Sequence, residues 1–351
     1  MHAVRINVTP RVSPGERLAA VDELKGLAIA LIILYHSQGI LGISNWPHGE
    51  IGVDIFLILS GFTLAMNSVD MPLGQYLLRR FARIYPTYWL ALGATLLLQW
   101  KLFGTTKSWE NIWQHIVGIH AYSRLVYFSD ISDPFWFISL IAAAYLVFAV
   151  IRTRLDDLSL VVAVAGALTL IATIGYEHFN HAGGLISLAI RIPDFFVGVI
   201  AGRLLSRGTA EIRLNLVLGL GLLCFYVQTF FFSTTNTYTL PAAGIIATWI
   251  GLRHYLVKSY QGRVFLAAFA LLGLISYEVY LIHQPIIRDY SAYFYNHVLD
   301  IPAPSKLQLF RGIFVGLGAT FALSAGLHVA SERMWSRFRF RSGSRLAPAQ
   351  G

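Results

Sequence analysis

The chain has 351 residues, of which 56% are hydrophobic and 13% charged, with a formal net charge of +9 and a mean hydropathy of +0.60. A soluble domain carries about a quarter charged residues, so this composition excludes a water-facing globular surface and makes lipid the expected solvent. The basic excess forms no single stripe of the kind a nucleic-acid partner requires; it recurs in alternate loops, as membrane topology predicts.

Runs of roughly 20 mostly apolar residues, the length that spans a bilayer core, fall near 25–43, 51–67, 86–103, 135–151, 158–175, 184–203, 214–232, 238–256, 264–284 and 307–330. The expected fold class is therefore all-α, a polytopic integral membrane protein of about ten transmembrane helices. Residues 1–16 are expected as an N-terminal cytoplasmic segment, 17–335 as one membrane domain, and 336–351 as a basic cytoplasmic tail resting on anionic lipid. The first run carries His36 and no small-residue cleavage site, so it reads as an uncleaved span. Most of the 27 Lys and Arg residues stand in one set of loops and tails, including Arg79, Arg80, Arg83, Arg207, Arg253 and the tail from Arg333. That side is the cytoplasm by the positive-inside rule, with both termini in it. In the outer connector 104–134, Trp109, Ile112, Trp113, Ile116 and Val117 recur at helical spacing and predict a short helix lying in the interface. Cys224, the only cysteine, sits in an apolar run and reads as a packed thiol.

Ionisable groups inside spans are costly and usually functional. In DELKGLAIALIILYH, Lys25 and His36 are eleven residues apart. They therefore share one helix face, roughly 16 Å apart along the axis. Asp22, one turn before Lys25, can neutralise it, and His36 reads as functional in preference to a core histidine. In GVDIFLILSGF, Gly52, Ser60 and Gly61 let helices approach closely, while Asp54 is either interfacial or functional. In LLRRFARIYP, Arg80 and Arg83 stand one turn apart on a cytoplasmic helix expected to end at Tyr85-Pro86. Paired guanidinium groups suit phosphate, although positive-inside anchoring explains them without any ligand and is the favoured reading on composition alone. In ISYEVYLIHQP, Ser276, Tyr280 and His283 share a face, with His283 near the outer end and Glu278 directed to another helix. In RIPDFFVG, Arg191 and Asp194 can pair at i, i+3 as an ion pair or a site. The histidines are scattered without ligand spacing, so no metal is expected.

In this order the motifs resemble the acyltransferase-3 family of membrane O-acyltransferases: Asp22-x-x-Lys25-Gly26 before a span with His36, GVDIF…SGF, Arg80-x-x-Arg83-x-Tyr85-Pro86, Trp136-Phe137-x-Ser139, and SYxxYLIH. The resemblance runs from about residue 17 to Glu332. It implies transfer of an acyl group, commonly acetyl from acetyl-CoA, onto a hydroxyl of a carbohydrate such as a cell-surface glycan, lipo-oligosaccharide or glycoside. The implied setting is a bacterial cytoplasmic (inner) membrane, with membrane lipid and glycan-assembly enzymes as neighbours and no nucleic acid. Lys25 and His36 fill the family's basic-x10-His pair, and Arg80 and Arg83 its Arg-x-x-Arg. Two departures are a Lys at position 25 where Arg is usual, and no Glu following the Trp-x-x-Ser stretch.

The resemblance further implies that Arg80, Arg83 and Lys25 hold the CoA phosphates at the cytoplasmic edge. The pantetheine arm then carries the thioester towards His36, a general base or, by a second route, an acyl carrier. Asp22 supports Lys25. Tyr280, Ser276 or Asp54 orient the histidine or bind acceptor, His283 lines the outer entrance, and Ser60, Tyr85, Trp136, Ser139 and Arg191 are further site candidates. A transporter or flippase of a lipid-linked sugar, with the same ionisable groups as a relay, is the alternative from another class; a membrane sensor or scaffold is a third.

Overall fold

A computed structural model describes residues 14–42, 47–122, 131–155, 191–206, 239–290, 293–301 and 304–343. Among the described residues all regular structure is helical: α1 (Pro14–Leu41), α2 (Ile51–Asn67), α3 (Leu73–Phe103), α4 (Trp109–Val117), α5 (Trp136–Ile151), α6 (Ile192–Ser206), α7 (Thr239–Leu256), α8 (Tyr260–Leu274), α9 (Ser276–Gln284) and α10 (Lys306–Gly343). Short 3-10 and π turns link them. The spans expected at 158–175 and 214–232 lie outside the described residues, as does Cys224.

Among the described residues three stretches are long and apolar enough to cross a bilayer: Ala19–Leu41, Asp133–Arg154 and Lys306–Arg333. A fourth is available if α8 and the helix that follows it form one bent span, and α2 is a shorter apolar helix. The run expected as one span at 264–284 is broken at Ile275, where the axis turns by 68°. Close packing accompanies the break. A side chain at Gly273 would run into the Asp22 carbonyl of α1, and one at Gly26 into the Phe269 carbonyl, so α8 crosses α1 at backbone contact.

The same device joins α2 to α6. A Cβ on Gly61 would meet the Phe195 carbonyl and one on Gly198 the Ile58 carbonyl, so only hydrogen at these positions lets the backbones touch, the small-residue packing typical of membrane helices. Charge ties a third pair. Glu23 of α1, 3% exposed, accepts from Arg253 Nε at 2.9 Å and from Trp249 Nε1 at 3.3 Å, both on α7.

Two expectations change. The helix expected to stop at Tyr85-Pro86 continues through Pro86 to Phe103. A proline leaves the carbonyl four residues before it, here that of Ala82, without its amide; one turn of the same helix is tied to α9, where the Tyr277 hydroxyl donates to the Ile84 carbonyl at 2.9 Å. The connector helix forms as expected as α4, capped by Ser108, whose side chain accepts from the Asn111 amide, and Trp109 and Trp113 remain exposed. It is also bonded to the bundle. Tyr85 and Trp89 of α3 donate to the Val117 and Ile116 carbonyls at 2.8 and 2.9 Å, and Asn111 and His115 are buried. These bonds hold the end of α4 against the bundle.

Candidate active site

The predicted residues fall into four groups. The first lines a cavity of about 140 Å³ between α1, α2, α3, α5 and α9. Lys25 and Arg83 stand at it together with Ser60, Ser276 and Tyr280. Each helix supplies its residue for a local reason: Lys25 Nζ is steadied by Asp22 one turn earlier at 3.0 Å, and Ser276 begins α9 with its hydroxyl donating to the Gly273 carbonyl at 2.8 Å. Thr63, Tyr145 and Tyr277 complete the polar part of the wall; the sequence motifs had not marked Thr63 or Tyr145. The volume is well below the ~300 Å³ of an ordinary small-molecule site.

The second group is a histidine pair beyond Tyr280. The Tyr280 and His283 rings are 6.0 Å apart, and the His283 and His36 rings 5.1 Å apart. His283 is fully buried, and so belongs to the interior beside His36, not to an outer rim. Its Nδ1 stands 2.8 Å from the Tyr280 carbonyl and 3.1 Å from the Val279 carbonyl. Two acceptors there fix the proton on Nδ1 and leave Nε2 as a lone pair. His36, half-buried on α1, has its Nδ1 3.5 Å from the Gln284 amide nitrogen. That nitrogen also donates to Asp133 Oδ2 at 2.7 Å, which in turn accepts from Arg288 Nη1 at 2.9 Å.

The third group is a buried charge network. Arg191, the residue before α6, reaches across to α2, with Nη1 2.8 and 2.9 Å from the Asp54 oxygens and Nη2 2.5 Å from Glu50. Its guanidinium also lies 5.4 Å from the Trp136 ring centre. Asp194, the partner expected within one helix turn, lies against Asp54, and the principal ion pair joins two helices. Glu50 also accepts from Tyr35, the neighbour of His36, at 3.1 Å.

The fourth group stands apart from the histidines. Tyr85 holds the end of α4. The Ser139 hydroxyl accepts from the Ala121 amide at 3.4 Å and its carbonyl accepts from Tyr122 at 2.7 Å, so both residues anchor the connector. Arg80 is not in the cavity wall; its guanidinium lies 5.8 Å from the ring centres of Tyr76 and Tyr145. Arg152, which no sequence motif marks, is 6% exposed. It stacks 5.6 Å from Tyr76 and donates to the Met71 carbonyl.

The residues missed by sequence reading around His36 are Gln284, Asp133, Glu50 and Arg288. The signal for two was close at hand: Gln284 follows His283 in the same motif, and Asp133 precedes Trp136 by three. Among the described residues no cluster of three or more His, Cys, Asp or Glu side chains is arranged to hold a metal ion.

The family model described as an acyltransferase domain (Acyl_transf_3) matches residues 18–329, most of the chain. The chain belongs to this family. This acyltransferase is 26% identical over 280 residues to "Putative acetyltransferase ORF330" of Acidianus two-tailed virus, covering 75% of this chain and 81% of that protein. It is 25% identical over 317 residues to "Putative membrane-bound transacylase BcsY" of Komagataeibacter xylinus, covering 81% and 77%. A shorter stretch of 129 residues, 34% of this chain and 18% of the relative, is 28% identical to "Putative peptidoglycan O-acetyltransferase YrhL" of Bacillus subtilis. No solved structure matches. The acyltransferase is thus a membrane enzyme transferring acyl groups other than aminoacyl groups.

Proposed function

We propose that this acyltransferase moves an acyl group, acetyl in the first instance, from acyl-CoA onto a carbohydrate hydroxyl of a cell-surface glycan, lipo-oligosaccharide or glycoside. It works in a bacterial cytoplasmic membrane, crossing it about ten times with both termini inside. The observation that carries this reading is the cavity that has Lys25 and Arg83 in its wall and Tyr280 next to the His36–His283 pair.

The chemistry follows from those positions. Arg83, with Lys25 and Arg80, holds donor phosphates at the cytoplasmic edge, where guanidinium forks match phosphate oxygens. The pantetheine arm extends along the cavity and presents its thioester near Tyr280. His36, the half-buried member of the pair, takes the proton of the acceptor hydroxyl as its oxygen attacks the thioester carbonyl. The C–S bond breaks, and the proton returns to the departing CoA thiolate. Positioning both reactants across one histidine also lowers the entropic part of the barrier. The relative named for peptidoglycan O-acetylation supports a sugar acceptor.

Purified protein in nanodiscs is expected to release CoA from acetyl-CoA only when acceptor is present. A deletion strain is expected to lose O-acyl groups from its glycans by mass spectrometry and to regain them on complementation. Unchanged glycan acylation in the deletion strain, with no CoA release in vitro, sinks the reading. Reporter fusions after Arg207 and near Arg345 are expected in the cytoplasm, and fusions near Trp109 and Asn236 outside; an outer tail refutes the ten-span topology.

A further inference from the structure

We propose that Gln284, Asp133 and Arg288 form the subsite that binds the acceptor's hydroxyl groups against His36 Nδ1. This rests on the acyl-transfer reading above and adds the residues that receive the second substrate.

The three side chains make a chain of hydrogen bonds that ends at the histidine. Arg288 Nη1 donates to Asp133 Oδ2 at 2.9 Å, the Gln284 amide donates to the same oxygen at 2.7 Å, and that amide nitrogen is 3.5 Å from His36 Nδ1. The last distance is at the limit of hydrogen bonding, where the interaction is weak. The Gln284 nitrogen is committed to a charged acceptor, so it satisfies the histidine lone pair poorly. An N–H directed at Nδ1 marks that atom as the lone-pair side of the ring, and a hydroxyl donor placed there forms the stronger bond.

Gln284 supplies the second observation. It is 6% exposed, yet its Oε1 is buried without a hydrogen-bond partner among the described residues. A buried amide oxygen left unpaired carries its full desolvation penalty, and such groups in native structures call for an explanation. A hydroxyl donor is the ligand chemistry that satisfies Oε1 and His36 Nδ1 alike.

The outer members fit the same ligand. The Asp133 and Arg288 side chains are 34% and 47% exposed, so the hydrogen-bond chain runs from an open edge to a buried end. A carboxylate accepts from hydroxyls and a guanidinium donates to their oxygens, so the pair suits adjacent hydroxyl groups of a sugar. The loop positions follow from the fold. Asp133 opens the turn that leads into α5, and Arg288 lies in the π-helical turn after α9. Both stand at the end of the bundle away from Lys25, so donor and acceptor reach His36 from opposite sides.

The test uses full-length protein in nanodiscs with acetyl-CoA as donor and, as acceptor probe, the unacylated glycan fraction from a deletion strain. Asp133→Asn, Arg288→Lys and Gln284→Met are compared with wild type at equal folded protein. The half-saturating concentration of the glycan fraction is expected to rise about tenfold or more in each, while the Michaelis constant for acetyl-CoA stays within twofold. Unchanged half-saturation in all three variants overturns the subsite. A fall in kcat with both Michaelis constants unchanged also overturns it, because that pattern belongs to residues that only orient His36. Arg288→Lys preserves the charge partner of Asp133, so loss of folded protein in the other two still leaves one variant to decide. No transfer by the wild-type protein defeats the underlying function, an outcome distinct from the others.

Discussion

Arg191, the residue before α6, and Asp54 on α2 form a two-point ion pair, with one guanidinium nitrogen 2.8 and 2.9 Å from the two carboxylate oxygens in a site where the Asp54 side chain is wholly buried. The pair spans the helices whose backbones meet at Gly61 and Gly198, so charge and close packing fix the same interface. Arg191→Met leaves a buried carboxylate without its counter-charge and is expected to destabilise the protein by about 3–5 kcal/mol. Thermal unfolding in detergent measures this. Activity per folded molecule should fall less than the folded fraction; a wild-type melting temperature with lost activity would move Arg191 into the catalytic machinery.

Donor binding separates the two arginines of the Arg-x-x-Arg pair. Arg83 lines the cavity, whereas Arg80 lies on the rings of Tyr76 and Tyr145. Lysine keeps the positive charge but loses the planar fork. Arg83→Lys is therefore expected to raise the acetyl-CoA Michaelis constant about tenfold, and Arg80→Lys by less. Equal, unchanged constants in both variants would return the pair to topological anchoring.

His36→Ala is expected to lower acyl transfer by about 10²–10⁴-fold, the usual contribution of a proton-transfer group. Expression and melting temperature should stay near wild type, since the side chain is only half-buried. Turnover within tenfold of wild type would remove His36 from the mechanism.

Stability towards acid should report on the connector. His120 is buried and its ring stacks on His115 at 3.9 Å; burial, with His115 beside it, pulls its pKa from 6.5 down to about 3. Below pH 6.5 the unfolded chain takes up a proton that the folded chain refuses, so stability is full above pH 6.5 and falls as pH drops towards 3. At pH 4.5 the loss is on the order of 2 kcal/mol. Hydrogen exchange of residues 109–122 is expected to quicken between pH 7 and 4.5, after correction for intrinsic rates, and His120→Gln to flatten that dependence. A pH dependence that persists in the variant refutes the assignment.

Much of this protein was legible in one dimension. Low charge, apolar runs and their periodicity determine an all-helical chain in lipid, because a bilayer leaves the backbone no partners except its own. Helical spacing alone aligns Lys25 with His36, and Asp22 with Lys25, since partners one to three turns apart depend only on the pitch. Local signals also set α4, from its Ser108 cap. The order of five motifs was enough to indicate the family. Contacts between helices were decided only in three dimensions. Arg191 has a carboxylate one turn away in Asp194, but the bidentate partner is Asp54, 137 positions distant, because the glycine contacts bring α2 and α6 together at that height. Tyr85 and Ser139 sit in motifs that made them site candidates, yet the path of the connector commits both to holding it. His283 and Gln284 reach His36 because α8 and α9 bend at Ile275, and Asp133 because the turn before α5 lies across from them. Sequence period specifies which residues share a face; what that face meets depends on packing, bends and backbone approach, and these are set by the whole bundle at once.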